Sequence, residues 1–305
     1  MKIITYRKDS GPVSTGVVIG EEVLDITAWV AALAVSTQAA KHHAAAGTEP
    51  PGGGIMRLLQ SGNHAIEMLA AYIDREKPSS TCLFKDVQLY APVPRPGKII
   101  GVGRNYADHA KETGVAPFES PRIIFKLSSS VAAPGAAAVR PASVTKMDFE
   151  AELAVVIGSY GKDVPESQAL SLVAGYTILN DLSAREFQFD ISPAQTTFAK
   201  SMDGFAPMGP WLVTADEIKD PQTLEVSCWL NGVQMQHGHT ADMLFPVATL
   251  IAYLSRFMTL EPGDVITTGT PAGIGAFRTP PVYLQPGDHL RFEVSNISIM
   301  SHLIT

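Results

Sequence analysis

The stretch Asp148-Phe149-Glu150-Ala151-Glu152-Leu153-Ala154-Val155-Val156-Ile157-Gly158 runs two glutamates straight into aliphatic and β-branched residues, the composition of a buried strand that begins in acid. Side chains alternate across a strand, so Glu150 and Glu152 share a face. Two carboxylates side by side on a buried face repel each other and lose hydration; they need a proton, a cationic side chain or a bound cation. The same spacing also fits an exposed strand end with solvated glutamates. A third acid, Asp181, closes another apolar run, Gly175-Tyr176-Thr177-Ile178-Leu179-Asn180-Asp181, where its side chain can point into a cleft. Three carboxylates form a hard oxygen set that suits Mg²⁺ or Mn²⁺, with Ca²⁺ a further candidate, better than zinc or copper. The calcium-loop pattern of alternating acids around a central glycine is absent.

Outward from this strand the chain is mostly short apolar runs cut by Gly, Pro, Asp and Asn, at 122–127, 151–157, 224–230 and 289–294. That spacing predicts an α+β, mainly β unit. Asn231-Gly232 between two such runs predicts a two-residue hairpin, because both central positions of that turn need positive φ. Pro262-Gly263-Asp264 and Pro286-Gly287-Asp288 each precede a β-rich run, the same turn device used twice. Pro92, Pro94 and Pro96 punctuate the chain ahead of Lys98-Ile99-Ile100-Gly101-Val102-Gly103, which places a boundary between a small N-terminal accessory domain, 1–92, and a metal-binding catalytic domain, 93–305. Within the first part, 39–54 reads as a loop or insertion with solvated histidines, His42 and His43. His237-Gly238-His239 also reads as a loop.

The 305 residues are 46% hydrophobic and 17% charged, which suits a globular chain and not a disordered one. With a net charge of −7 and no basic run, the chain offers no general nucleic-acid surface, so an anionic ligand needs a local positive site. Cys82 and Cys228 stand far apart, which supports neither a disulfide framework nor a thiolate zinc site. The first residues, Met1-Lys2-Ile3-Ile4-Thr5-Tyr6-Arg7, read as a strand and not as a signal peptide. No run approaches the roughly 20 apolar residues of a membrane span. A cytoplasmic address is the expectation, with no nucleic-acid or membrane partner.

Gly101-Val102-Gly103-Arg104-Asn105-Tyr106 starts like a dinucleotide fingerprint, but Tyr106 stands at the third glycine position and no acidic ribose ligand follows in suitable context. Asn105 is instead expected to cap a short helix from Tyr106 to about Thr113, stopped by Gly114 and Pro117. On it His109 and Glu112 share a face, where a carboxylate orients an imidazole and raises its basicity.

Gly103-Arg104-Asn105-Tyr106-Ala107-Asp108-His109, the acidic stretch 148–153, Asn180-Asp181-Leu182-Ser183-Ala184-Arg185, Phe198-Ala199-Lys200 and Thr268-Gly269-Thr270-Pro271-Ala272-Gly273 together resemble the fumarylacetoacetate hydrolase family, in the family's order. The resemblance covers about 98–293 and is weak before that. It implies a mixed β-roll and a homodimer. It also implies Glu150, Glu152 and Asp181 as metal ligands, His109 and Glu112 as a water-activating dyad on a lid, and Lys126 and Lys200 as active-site lysines, Lys200 being a candidate oxyanion donor. Arg104, Tyr106, Arg185, Gln188 and Thr270 would line the substrate pocket. Taken singly, Arg185 also reads as a surface ion pair, Thr270 as a turn hydroxyl and Lys126 as a strand-edge charge. The implied activity is hydrolysis of a carbon–carbon bond in a small anionic 1,3-dicarbonyl acid of acylpyruvate type. The same core in other members decarboxylates a β-keto acid such as oxaloacetate or shifts a double bond, and a non-catalytic metal-stabilised binding protein is a further alternative. Two departures stand out: Leu127 follows the lysine where relatives often carry proline, and the ending 296–305 lacks the family's glycine.

Overall fold

The computed structural model describes every residue except 47, 49–52, 80, 113, 115 and 117. Its centre is the strand Ala151–Ile157, buried at all seven positions. Alternate side chains go to opposite sides: Leu153, Val155 and Ile157 enter the larger apolar cluster, while Ala154 and Val156 enter a second cluster with Ile3, Leu58 and Leu69. Such two-sided burial, worth about 1.5–3 kcal/mol for each large aliphatic side chain, explains why the run is continuous rather than alternating.

The strand belongs to a mixed twelve-stranded sheet. On one side it pairs antiparallel with Val173–Asn180 and on the other with Val265–Thr267; the latter runs parallel to Ile99–Gly103, which pairs antiparallel with Arg122–Lys126. Beyond Val173–Asn180 lies Ala206–Thr214, and beyond that Lys2–Lys8, so strands from the first 92 residues continue the same sheet. A four-stranded sheet stands apart in the order Val233–His239, Glu225–Leu230, His289–Val294, Ser298–Leu303. The fold is α+β with a mixed sheet, as expected.

Turn chemistry is borne out in detail. Asn231 and Gly232 take φ of 51° and 83° between paired Leu230 and Val233. In both Pro-Gly-Asp turns the aspartate closes the loop in one way: Asp264 and Asp288 each donate a backbone N–H to the residue three before, Glu261 and Gln285, and accept that residue's N–H on the carboxylate.

Three expectations are corrected. Within 39–54, residues through 46 form the helix Thr37–Ala46, because an alanine-rich run has high helix propensity whatever glycines follow it; 47 and 49–52 lie outside the described residues. His42 is not simply solvated but meets Glu261 at 2.8 Å. His237 and His239 sit in a strand, where Gly238 pairs with Val226, and not in a loop. The ending without glycine nevertheless forms the regular strand Ser298–Leu303.

Candidate metal centre and active site

Register puts the acids together. Ala151 pairs with Asn180, so Glu150 and Asp181 face each other just beyond the paired ends, and the Asp181 N–H donates to the Glu150 carbonyl at 2.9 Å. Glu152 lies two residues along on the Glu150 face. One oxygen from each of Glu150, Glu152 and Asp181 lies within 4.8 Å of the others, and all three residues are buried.

Their compensation is uneven. Glu150 accepts from Arg185 at 2.7 Å and from Lys200 at 2.9 Å. Burial alone would raise its carboxyl, but Lys200, Arg185 and His109 hold it well below the usual carboxylate range. Asp181 takes Lys126 and Lys200, each at 2.7 Å. Among the described residues Glu152 accepts only the Gly269 backbone N–H, at 2.8 Å, and burial beside Asp181 and Glu150 pushes its carboxyl well above the usual range. Three hard oxygen donors, one lacking a cation of its own, fit a divalent cation.

The basic residues are held in turn. Lys200 gives its three N–H donors to Glu150, Asp181 and, at 2.8 Å, the Ser183 hydroxyl; despite burial, Asp181 and Glu150 raise its pKa. An oxyanion role for Lys200 therefore requires release of one of these bonds. Lys126 bonds Asp181 and the Leu182 and Lys200 carbonyls behind the site, and burial lowers its pKa. Arg185 spans Asp148 at 2.9 Å, Glu150 and Gln188 at 2.8 Å. Asp148 also accepts N–H groups from Gly275 and Ala276, tying the 275–276 turn to Arg185.

The dyad forms. His109 Nδ1 meets Glu112 at 3.0 Å on the helix Ala107–Glu112, and the other Glu112 oxygen accepts from Gly273 N–H at 3.0 Å. Asn105 does not cap this helix. Its amide is drawn inward, donating to the Phe245 and Thr268 carbonyls and accepting from Phe245 N–H. Thr113 and Pro117 lie outside the described residues.

A cavity gathers Arg104, His109, Glu150, Glu152, Asp181, Arg185, Gln188, Lys200 and Thr270. Thr270 both accepts from Gln236 and donates to the Ala151 carbonyl. Tyr106 is not on this wall: it is 0% exposed in the larger core cluster, and among the described residues its hydroxyl has no hydrogen-bond partner. Sequence reasoning missed Arg122, Phe189 and Phe277 on the cavity wall and Gln236 behind it. Only Arg122 carried a signal, as a cation on the same strand face as Lys126.

The family description "Fumarylacetoacetate (FAA) hydrolase C-terminal" matches residues 98–305, about two thirds of the chain. The chain belongs to the fumarylacetoacetate hydrolase family. It is similar to human oxaloacetate tautomerase FAHD2A, mitochondrial, with 43% identity over 215 residues, which is 70% of this chain and 68% of that protein. The rat counterpart is 43% identical over 246 residues, 81% of this chain and 78% of that one. Among solved structures, a putative HpcE protein from Mycobacterium smegmatis is 33% identical with a TM-score of 0.81, covering 100% of this chain and 99% of that one. Maleylpyruvate hydrolase from Sphingobium sp. SYK-6, in complex with manganese(II) and pyruvate, is 29% identical with a TM-score of 0.78 and the same coverage. Relatives in the family are enzymes. No helix among the described residues is long and apolar enough to cross a membrane.

Proposed function

We propose that this chain is a divalent-metal-dependent hydrolase that cleaves a carbon–carbon bond in a small 2,4-dioxo, acylpyruvate-like acid. The observation that carries the reading is the His109–Glu112 pair on the wall of the cavity that holds the carboxylate triad. Glu150, Glu152 and Asp181 would hold Mg²⁺ or Mn²⁺, with Ca²⁺ a weaker candidate. The cation supplies Lewis-acid stabilisation of negative charge at the 2-oxo acid end of the substrate.

Glu112 fixes His109 with Nδ1–H toward the carboxylate, which leaves Nε2 as the base. His109 takes a proton from water, and general-base help of this kind is typically worth about 10²- to 10⁴-fold. Hydroxide adds to the C4 carbonyl; the C3–C4 bond then breaks, its electrons pass to the pyruvate enolate, and C3 takes up a proton. Arg185 and Gln188 orient the acid end, and Lys200 and Lys126 hold Glu150 and Asp181 in place. The division at residue 92, a homodimer and a cytoplasmic address remain parts of this proposal; the FAHD2A relatives carry mitochondrial names.

A second reading, keto–enol tautomerisation of oxaloacetate, is favoured by the 43% identity to FAHD2A. There His109 would move a proton at C3 without adding water. Ultraviolet absorbance of acetylpyruvate, fumarylpyruvate and oxaloacetate, with Mn²⁺ or with chelator, separates the readings. Metal-dependent loss of a dioxo acid with release of pyruvate, abolished in His109→Ala, supports the hydrolase. Accelerated enol–keto interconversion of oxaloacetate alone supports the tautomerase, loss of oxaloacetate to pyruvate supports a decarboxylase, and no reaction with any of them sinks all three.

A further inference from the structure

Glu150 stands one residue ahead of the ladder that begins at Ala151, so strand pairing does not fix its backbone. Its carbonyl takes the Asp181 N–H, and its own N–H donates to Asn180 Oδ1 at 3.1 Å. An N–H needs an acceptor, which identifies that atom as the amide oxygen and turns the Asn180 NH₂ the other way. There it meets His302 Nε2 at 3.1 Å. An NH₂ only donates, so Nε2 is the acceptor and the ring proton sits on Nδ1. Glu150, Asn180 and His302 are all buried.

His302 arrives from the other sheet. On Ser298–Leu303 the buried positions alternate, Met300 and then His302, and the His302 ring stacks on Phe292 with centroids 5.5 Å apart and planes at 23°. Nδ1 has no hydrogen-bond partner among the described residues. A buried N–H without an acceptor is a cost, and burial, with His289 adding, also opposes the ring's charged form, lowering its pKa to about 4. Phenylalanine would fill the same space and stack on Phe292 without that cost. What histidine adds is the acceptor for Asn180. The strand Val233–His239, at the opposite edge of the same four-stranded sheet, supplies a parallel: Gln236 Oε1 takes the Ala151 N–H at 3.0 Å. Two consecutive N–H groups at the start of the carboxylate strand are set from the two edge strands of that sheet, one directly and one through Asn180.

We propose that His302 is a positioning residue of the metal centre: by accepting from Asn180 it fixes the amide that holds the Glu150 backbone, and with it the direction in which the Glu150 carboxylate enters the triad. The inference rests on the reading above that Glu150, Glu152 and Asp181 hold a divalent cation. Without the His302 acceptor the Asn180 amide loses its fixed orientation, and the Glu150 N–H loses a fixed partner. Groups that bond a ligand directly are worth about 10–100-fold in metal affinity; His302 acts at one remove, so a loss of about three- to tenfold is expected.

Calorimetric titration with Mn²⁺ tests this without turnover, on the full chain carrying His302→Phe, His302→Gln, Asn180→Ala, or the first and last together. His302→Phe keeps a ring on Phe292 and should weaken Mn²⁺ binding about three- to tenfold, whereas His302→Gln, whose Oε1 reaches the Nε2 position, should stay within about twofold of the native protein. In the Asn180→Ala background His302→Phe should add under about twofold, since the contact is already lost. A packing defect alone would weaken binding in both backgrounds and in both His302 variants. Unchanged Mn²⁺ affinity in His302→Phe, a glutamine variant as weak as the phenylalanine one, or independent losses in the double variant overturns the proposal and leaves the triad reading standing. A native protein that binds no Mn²⁺ removes both. If His302→Phe does not fold, His302→Leu takes its place; if Asn180→Ala does not fold, the comparison of phenylalanine with glutamine decides alone.

Discussion

Replacing Glu150 and Glu152 by glutamine, one at a time, separates two carboxylates that the sequence presents as equals. Glu150 neutralises Arg185 and Lys200, both buried; its removal leaves those buried cations short of charge. Breaking a buried pair from one side costs about 3–5 kcal/mol. Among the described residues Glu152 accepts one backbone hydrogen bond, and burial beside Asp181 and Glu150 raises its carboxyl and so disfavours the charged form, so a neutral amide of the same shape should cost no more than about 1 kcal/mol. At about 2.1 cal/mol/K per residue, the 305-residue chain unfolds with roughly 0.6 kcal/mol/K, so Glu150→Gln should lower Tm by about 5–8 °C and Glu152→Gln by under about 2 °C. These values apply in chelator. Mn²⁺ at a hundredfold excess over its Kd should add about 2.7 kcal/mol to the native protein and little to either variant. Urea and thermal unfolding, each with and without metal, measure all six states. Equal losses for the two variants in chelator, or a larger loss for Glu152→Gln, would refute the uneven compensation; metal stabilisation surviving in both would refute the triad as the cation site.

Tyr106→Phe should leave stability unchanged or improved by about 1 kcal/mol and kcat/KM within about twofold, because the enclosed hydroxyl has no partner to lose; a tenfold fall in kcat/KM would return the tyrosine to the substrate pocket. His302, buried and depressed from 6.5 to about 4 by burial with His289 contributing, should make stability fall as pH drops from 6.5 toward 4, since the unfolded chain takes up a proton that the folded one refuses. The gap is worth about 3 kcal/mol, so urea midpoints at pH 7.5 and pH 4 should diverge less in His302→Asn than in the native protein. Asp264, raised to about 6 by burial, pulls the opposite way over this window but is common to both proteins. An identical pH response in the two would dispose of the idea.

The triad was legible because strand parity is rigid: once Glu150 and Glu152 sit at the start of a buried strand, they must share a face, and an acid closing the neighbouring antiparallel strand must arrive beside them. The His109–Glu112 pair was legible through helical spacing. Roles that depend on what stands opposite were not. Lys126 reads as a strand-edge charge until the sheet carries it to Asp181. Gln236 sits on a distant hairpin with no local mark, yet its amide fixes Thr270 and the Ala151 N–H. The glycines and prolines that follow mask the helix Thr37–Ala46 in the sequence, yet its own alanines decide the local structure. Asn105 has the chemistry of a helix cap, but buried carbonyls of Phe245 and Thr268 compete for its amide and win.

The two-sided burial of Ala151–Ile157 bears on how this protein can be recombined. Ala154 and Val156, on the strand face that also carries Glu152, share their apolar cluster with Ile3, Leu58 and Leu69, so much of the packing along that face is furnished by the chain before residue 93. A chimera that keeps 93–305 and borrows a different leading segment would alter the footing of the carboxylates even though every polar residue of the site had been retained.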